Sequence, residues 1–238
     1  MDLQKFFQEG LAHDLIMAER HYFVYRTIGE HAHLINPAPK SAERSALNYM
    51  QEPAMNQTIL SLSKIYDKKS RNRAFQVRSL DSLLALEDRI DAEFPFNLEY
   101  FEEFEKLEKL TQTPFGSKSI ESKGQLFEYL KSILDSQLVK SKVNHLKIVR
   151  DKYIVHNEHL EEVPHIPTFW EDMSFLLDVG KLISSVVGTI FLQTEYINMK
   201  ETGLNRVHYS ILFDFHWLIE MVGKVIGKEN VNRWWDNG

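Results

Sequence analysis

The chain contains no cysteine. Disulfides, thiolate catalysis and zinc–thiolate centres are therefore excluded, and the sequence suits a reducing compartment. Glycine is scarce, with 10 in 238 residues. No phosphate-cradling glycine loop, Gly-x-Ser-x-Gly elbow or dinucleotide fingerprint occurs. The seven prolines, at 37, 39, 53, 95, 114, 164 and 167, fall at or near pauses in the helical periodicity. Alternating strand-like runs bounded by turn dipeptides are missing too. The N-terminus, Met1 to Phe7, lacks the apolar stretch of a signal peptide. The most apolar run, 182–192, contains two serines and a glycine and falls short of the roughly 20 residues a bilayer span needs. A soluble, cytoplasmic protein with no membrane association is expected. The net charge is −6, so no global field draws in nucleic acid, and an anionic ligand must be met by a local patch.

What is present is helical periodicity. The pattern predicts helices over 3–33, closed by Asn36-Pro37-Ala38-Pro39, and over 41–67 with an interruption near Pro53. Further segments cover 79–92 and 98–110. The longest pattern spans 119–157, its apolar stripe carried by Leu126, Leu130, Ile133, Leu134 and Leu138, then Val139, Val143, Leu146, Val149 and Tyr153. Pro164 and Pro167 bracket a loop. Thr168-Phe169-Trp170-Glu171 then matches a capping box that opens a helix to 198. A last helix covers 205–226, with Trp234 and Trp235 beyond it. The 43% hydrophobic content can fill one core, so a single all-α domain over 1–238 is expected, with the C-terminal helix packed on the rest. Gly180, Ser184 and Gly188 recur every four residues; such a small-residue ridge lets another helix approach closely, within the chain or at a homodimer seam. The polar segment 68–78 is read as a loop.

The sequence Arg150-Asp151-Lys152-Tyr153-Ile154-Val155-His156 places a permanent cation and a near-neutral acid/base six residues apart. With ten Arg and ten His in the chain, such a spacing arises by chance about once, and Arg26 supplies rivals with His31 and His33. Context separates them. Arg150 to His156 closes the long amphipathic pattern before a proline-bounded loop, whereas Gly29 interrupts the Arg26 matches.

At these residues the chain resembles the HEPN superfamily of helical nucleotide-binding domains, whose signature is an Arg, a polar residue directly after it, and a His. The segment Ile59-Leu60-Ser61-Leu62-Ser63-Lys64-Ile65-Tyr66-Asp67, followed by a polar loop and Ser79-Leu80-Asp81-Ser82-Leu83-Leu84, is similar to the abortive-phage-infection branch. There, a helix ending in an aromatic or hydroxyl residue plus Asp precedes the motif helix. The likeness covers about 40–200 in layout. It implies a HEPN-like helical bundle in which two long antiparallel helices flank the Arg-x5-His motif, assembled as a homodimer. It also implies either a metal-independent endoribonuclease of phage-defence or toxin type, or a catalytically silent module. The silent module binds nucleotide, RNA or protein in an antitoxin- or scaffold-like role.

The chemistry fits the first implication. Cleaving RNA without a metal requires removing the 2′-OH proton, stabilising the phosphorane and protonating the 5′-oxygen. His156 suits proton transfer, since imidazole exchanges protons near neutral pH. Arg150 suits the phosphorane, since a guanidinium stays charged and grips phosphate oxygens bidentately. Asp151 can orient either group, Lys152 can hold a flanking phosphate, and Glu158 is a further supporting candidate. On a straight α-helix, six residues at about 100° leave Arg150 and His156 roughly 120° apart. Both aim at one phosphate only if the helix ends or bends near Tyr153, or if two motif copies meet across a dimer. The structural alternative pairs Arg150 with a carboxylate at the core edge and uses His156 to cap the helix C-terminus.

Two basic runs suit an RNA backbone. Residues 140–152 hold five Lys/Arg against one acid, including Lys140, Lys142 and Lys147. Residues 64–78 hold six against Asp67, including Lys64, Arg71 and Arg73. Tyr153 could stack on a base, though its place on the apolar stripe favours the core. No cofactor is expected, and no metal, because His156 to Glu162 lacks the His-Glu-x-x-His order. His31 and His33 are expected at the surface, and His208 and His216 in the core. Expected partners are RNA, a second copy of the chain, and an antitoxin or other protein.

Overall fold

Polar caps cut the apolar periodicity into discrete helices. The computed structural model describes residues 6–68, 78–90, 102–116, 120–155, 169–192 and 211–237, and contains no strand among them. A π-helical stretch, Phe7–Ala12, runs into α1 (His13–Glu30), followed by the short α2 (Ala32–Ile35). Ser41 caps α3 (Ala42–Ile65) by accepting from the Arg44 N–H at 3.1 Å. Ser79 caps α4 (Leu80–Leu84) in the same way, and a 3-10 turn, Glu87–Arg89, comes after it. Then come α5 (Glu102–Thr111), α6 (Lys123–Asp135), α7 (Gln137–Val149), α8 (Phe169–Phe191) and α9 (His216–Ile226).

Several expected boundaries are corrected. The long 119–157 pattern is two helices, because Ser136 takes an extended conformation (φ −60°, ψ 148°) and its hydroxyl accepts from the Val139 N–H. It thus ends α6 and caps α7. The α3 helix, conversely, runs through Pro53 without interruption. Proline removes the bond to the carbonyl of Tyr49, and Tyr49 lies on an exposed stretch of the helix, 80% exposed itself. The 79–92 segment contracts to α4 and a 3-10 turn. The last helix is broken at Phe215 (φ −110°, ψ 18°), which precedes α9. Thr168, 193–198 and 205–210 lie outside the described residues, as do the helix ends expected there.

One apolar cluster runs from Phe6 to Trp235. Its main seam joins α1 to α3, and α8 packs against α1, α3, α5 and α7. The small ridge on α8 serves that packing: a Cβ on Gly180 would lie 2.9 Å from Leu15, and Ser184 and Gly188 are buried within the chain. By length and composition α8 could cross a membrane, with 23 residues and a mean hydropathy of 1.5 in its most apolar window. The 182–192 run is thus part of a longer apolar helix than the sequence suggested, and 78% of that window is buried inside the fold. A charged strut crosses the same seam, where Lys181 of α8 meets Glu19 of α1 at 2.5 Å with both side chains largely buried.

The C-terminal segment returns to α1. Trp234 and Trp235 sit 5.5 and 5.6 Å from Phe23 between ring centroids. His31, expected at the surface, is buried here: Nδ1 meets the Thr27 carbonyl and Nε2 the Asn232 N–H, each at 2.6 Å. Nδ1 therefore donates and Nε2 accepts, which fixes a neutral tautomer. His33 is exposed as expected. His216, expected in the core, is instead exposed and lies 3.4 Å from Glu220 one turn on. His208 lies outside the described residues.

Candidate functional site

The stretch that opens the motif leaves α-helical geometry. Residues Arg150–Val155 form a π-helical turn continuing α7. A π turn closes i→i+5 bonds and is wider than an α turn; such turns concentrate at functional sites. The turn packs on α3, and Val149 and Ile154 anchor it in the core. His156 and Glu158, and the side chains of Tyr153 and Val155, lie outside the described part of the protein.

Arg150 is held by its neighbour. Its Nε and Nη2 both donate to one oxygen of Asp151, each at 2.7 Å. This fixes the guanidinium plane on one side and leaves Nη1 without a partner among the described residues. The Arg150 side chain is 24% exposed and that of Asp151 50%, so the pair sits at the surface of the turn. Lys152 is half-buried on the same turn.

The face of α7 that leads to Arg150 is basic and concave. Lys140, Val143, Asn144 and Lys147 recur at three- and four-residue steps, so they share one face, and the next turn of that face carries Arg150 and Asp151. With Tyr66, Lys68, Leu80, Asp81 and Leu134 they line a cavity of about 210 Å³. The end of α3 and the motif helix thereby bring Lys68 of one basic run beside Lys140 and Lys147 of the other. Its lysines are loosely held: Lys68 bridges Asp81 at 3.6 Å and Asp135 at 3.7 Å, and Lys140 lies 3.0 Å from Asp135. The Lys140 hydrogen bond, aided by the Lys68 charge, holds the Asp135 carboxyl below its ordinary range. Lys147 has no ion-pair partner among the described residues. Tyr66 closes the groove floor: its hydroxyl donates to the Leu176 carbonyl at 2.6 Å, and burial raises its pKa well above the usual phenol range.

The remaining basic residues are placed elsewhere. Lys142 turns inward to Asp172 at 2.5 Å and lies 5.0 Å from the Phe175 ring centroid. The other Asp172 oxygen meets His145 Nδ1 at 2.6 Å. Lys64 pairs with Asp14 at 2.7 Å across the α1–α3 seam. Arg71 and Arg73 lie outside the described residues. Sequence reasoning passed over Lys68 and Asn144. Asn144 was legible as the residue between Lys140 and Lys147 on one helix face, whereas Lys68 joins them only through tertiary packing. His145 and Asp172 had no local signal, being 27 residues apart.

The rival matches on α1 resolve as structure. Arg26 pairs with Glu30 at 3.3 Å and stacks 4.2 Å over the Trp234 ring. Both ring nitrogens of His31 are occupied by backbone groups, so it has none left to move a proton.

Comparison with known proteins agrees with the family resemblance and the helical architecture. The family model HEPN AbiU2, described as AbiU2, matches residues 2–187. No curated protein and no solved structure matches the chain.

Proposed function

The chain belongs to the HEPN AbiU2 family, and from that premise we propose that it is a metal-independent endoribonuclease of phage-defence or toxin type. One observation carries the reading. Arg150 heads a π turn, is oriented by Asp151, and ends the helix face whose preceding turns line a three-lysine groove. That arrangement suits a phosphodiester held at its flanking phosphates by Lys68, Lys140 and Lys147, with Asn144 donating from the groove wall and Arg150 on the scissile phosphate. Lys142 and Lys64 already have acidic partners and act in packing; Arg71, Arg73 and Lys152 extend the backbone track.

In the proposed reaction the 2′-oxygen attacks phosphorus as its proton passes to His156. The P–O5′ bond breaks, the 5′-oxygen takes a proton from a second imidazole, and a 2′,3′-cyclic phosphate remains. Two imidazoles in opposite protonation states are needed, so the site is composite: the motif of a second copy of the chain supplies the other His and its Glu158. The whole chain, 1–238, acts as one domain of this homodimer, in the cytoplasm where its RNA substrate and an antitoxin partner reside. Incubating the purified protein with mixed RNA in excess EDTA tests the reading. Cleavage that His156→Ala abolishes is expected; intact RNA across a broad substrate set would leave only the silent binding module.

A further inference from the structure

A second cavity, of about 350 Å³, lies between α1, the end of α5 and the first turns of α8, away from the lysine groove. We propose that it binds a small organic cation carrying an ammonium or guanidinium group. Its volume falls at the lower end of the range for small-molecule sites, roughly 300–1,000 Å³. Tyr22, Trp170 and Phe175 supply aromatic walls, and aromatic faces attract cations.

The charges select the ligand. The single cation in the lining, Arg26, is already engaged: Glu30 lies 3.3 Å from its Nε, and its guanidinium stacks on Trp234. Lys181, nearest to Asp178 along α8, is spent on Glu19 at 2.5 Å. The end of α5 contributes only the apolar Leu110. Asp178 therefore faces the cavity with no hydrogen-bond partner among the described residues, and Glu171 adds a second uncompensated acid at the exposed rim. A buried-edge carboxylate without a partner is costly, and burial pushes the Asp178 carboxyl up to about 6. The Lys181 and Arg26 charges offset part of this cost without bonding to Asp178, and a ligand cation in the cavity supplies the rest. An anionic ligand such as a nucleotide phosphate meets three carboxylates and an Arg that is already neutralised.

The site is independent of RNA cleavage, so its test needs no active nuclease. Spermidine and agmatine are titrated into the full-length protein at pH 7.5, with binding read by calorimetry and by quenching of tryptophan fluorescence; AMP serves as the anionic probe. Saturable binding of at least one cation is expected. Asp178→Asn should weaken it at least about tenfold, the loss of one desolvated charge pair, and Glu171→Gln by less. In the wild type, affinity should fall about tenfold between pH 7.5 and pH 5, because a carboxyl titrating at about 6 is roughly one-tenth ionised at the lower pH. Far-UV circular dichroism on both variants separates lost binding from lost fold. No saturable binding of either cation, unchanged affinity in a folded Asp178→Asn variant, or AMP binding in their place would overturn the proposal.

Discussion

Individual side chains in this protein are defined by what they are denied. Asp178 is half-buried and denied a hydrogen-bonding partner among the described residues, and burial holds its carboxyl at about 6, above its free value of 3.8. The consequence for stability has a definite sign. Because the folded pKa is raised, the contribution of this group is fully present below about pH 4 and drains away as pH rises through about 6. Asp178→Asn, which keeps the shape and removes the charge, should therefore raise Tm most at pH 8 and about half as much at pH 5, where roughly half of the contribution has drained away; equal shifts at both pH values would contradict the assignment. His31 is denied solvent by a segment some 200 residues away, since Asn232 closes over its Nε2. Nothing around Ala32 in the sequence announces that, which is why a histidine at a helix end reads as exposed. His216 shows the converse: it sits in an apolar helix yet on its outer face, paired with Glu220.

Among the elements, the α1–α8 seam carries the most specific chemistry. Gly29 lets α8 approach, since a Cβ there would fall 1.9 Å from Trp170. Gly29→Ala should thus cost stability despite alanine's better helix propensity, by about 1–3 kcal/mol as overpacking rather than the gain of up to about 1 that propensity alone implies. A denaturant midpoint above that of the wild type would refute it. Lys181 and Glu19 cross the same seam, and Lys181→Met leaves Glu19 as an uncompensated buried charge. A loss of about 3–5 kcal/mol is expected, and pairing it with Glu19→Leu should restore much of it. If the double variant is no more stable than Lys181→Met, the strut is not a coupled pair. Helix identity and most of the core were legible from three- and four-residue spacing. The break at Ser136 was not, because the apolar stripe runs through it and only the serine's capping bond reveals the turn. Nor was the unbroken passage through Pro53, which depends on which side of α3 faces solvent.

For the molecule as a whole, the motif was legible in part. Arg150, Asp151, Lys140 and Lys147 could be read as one face of a helix. The groove they form with Lys68 arises only when the end of α3 packs beside α7. The π turn was foreshadowed by geometry alone: an α-helix would splay Arg150 and His156 apart, and the helix does change form at Arg150. The proposed nuclease requires that altered turn and a second copy of it to act on one phosphate. A 5′-labelled RNA, incubated in excess EDTA with the wild type and with Arg150→Ala and His156→Ala, tests this most directly when the 3′ ends of the products are identified. A composite Arg/His site predicts 2′,3′-cyclic phosphate ends from the wild type and a rate at least about 100-fold lower in either variant, the scale on which positioned acid–base and electrostatic groups act. Cleavage that persists in His156→Ala, or products ending in a 3′-hydroxyl, would contradict it.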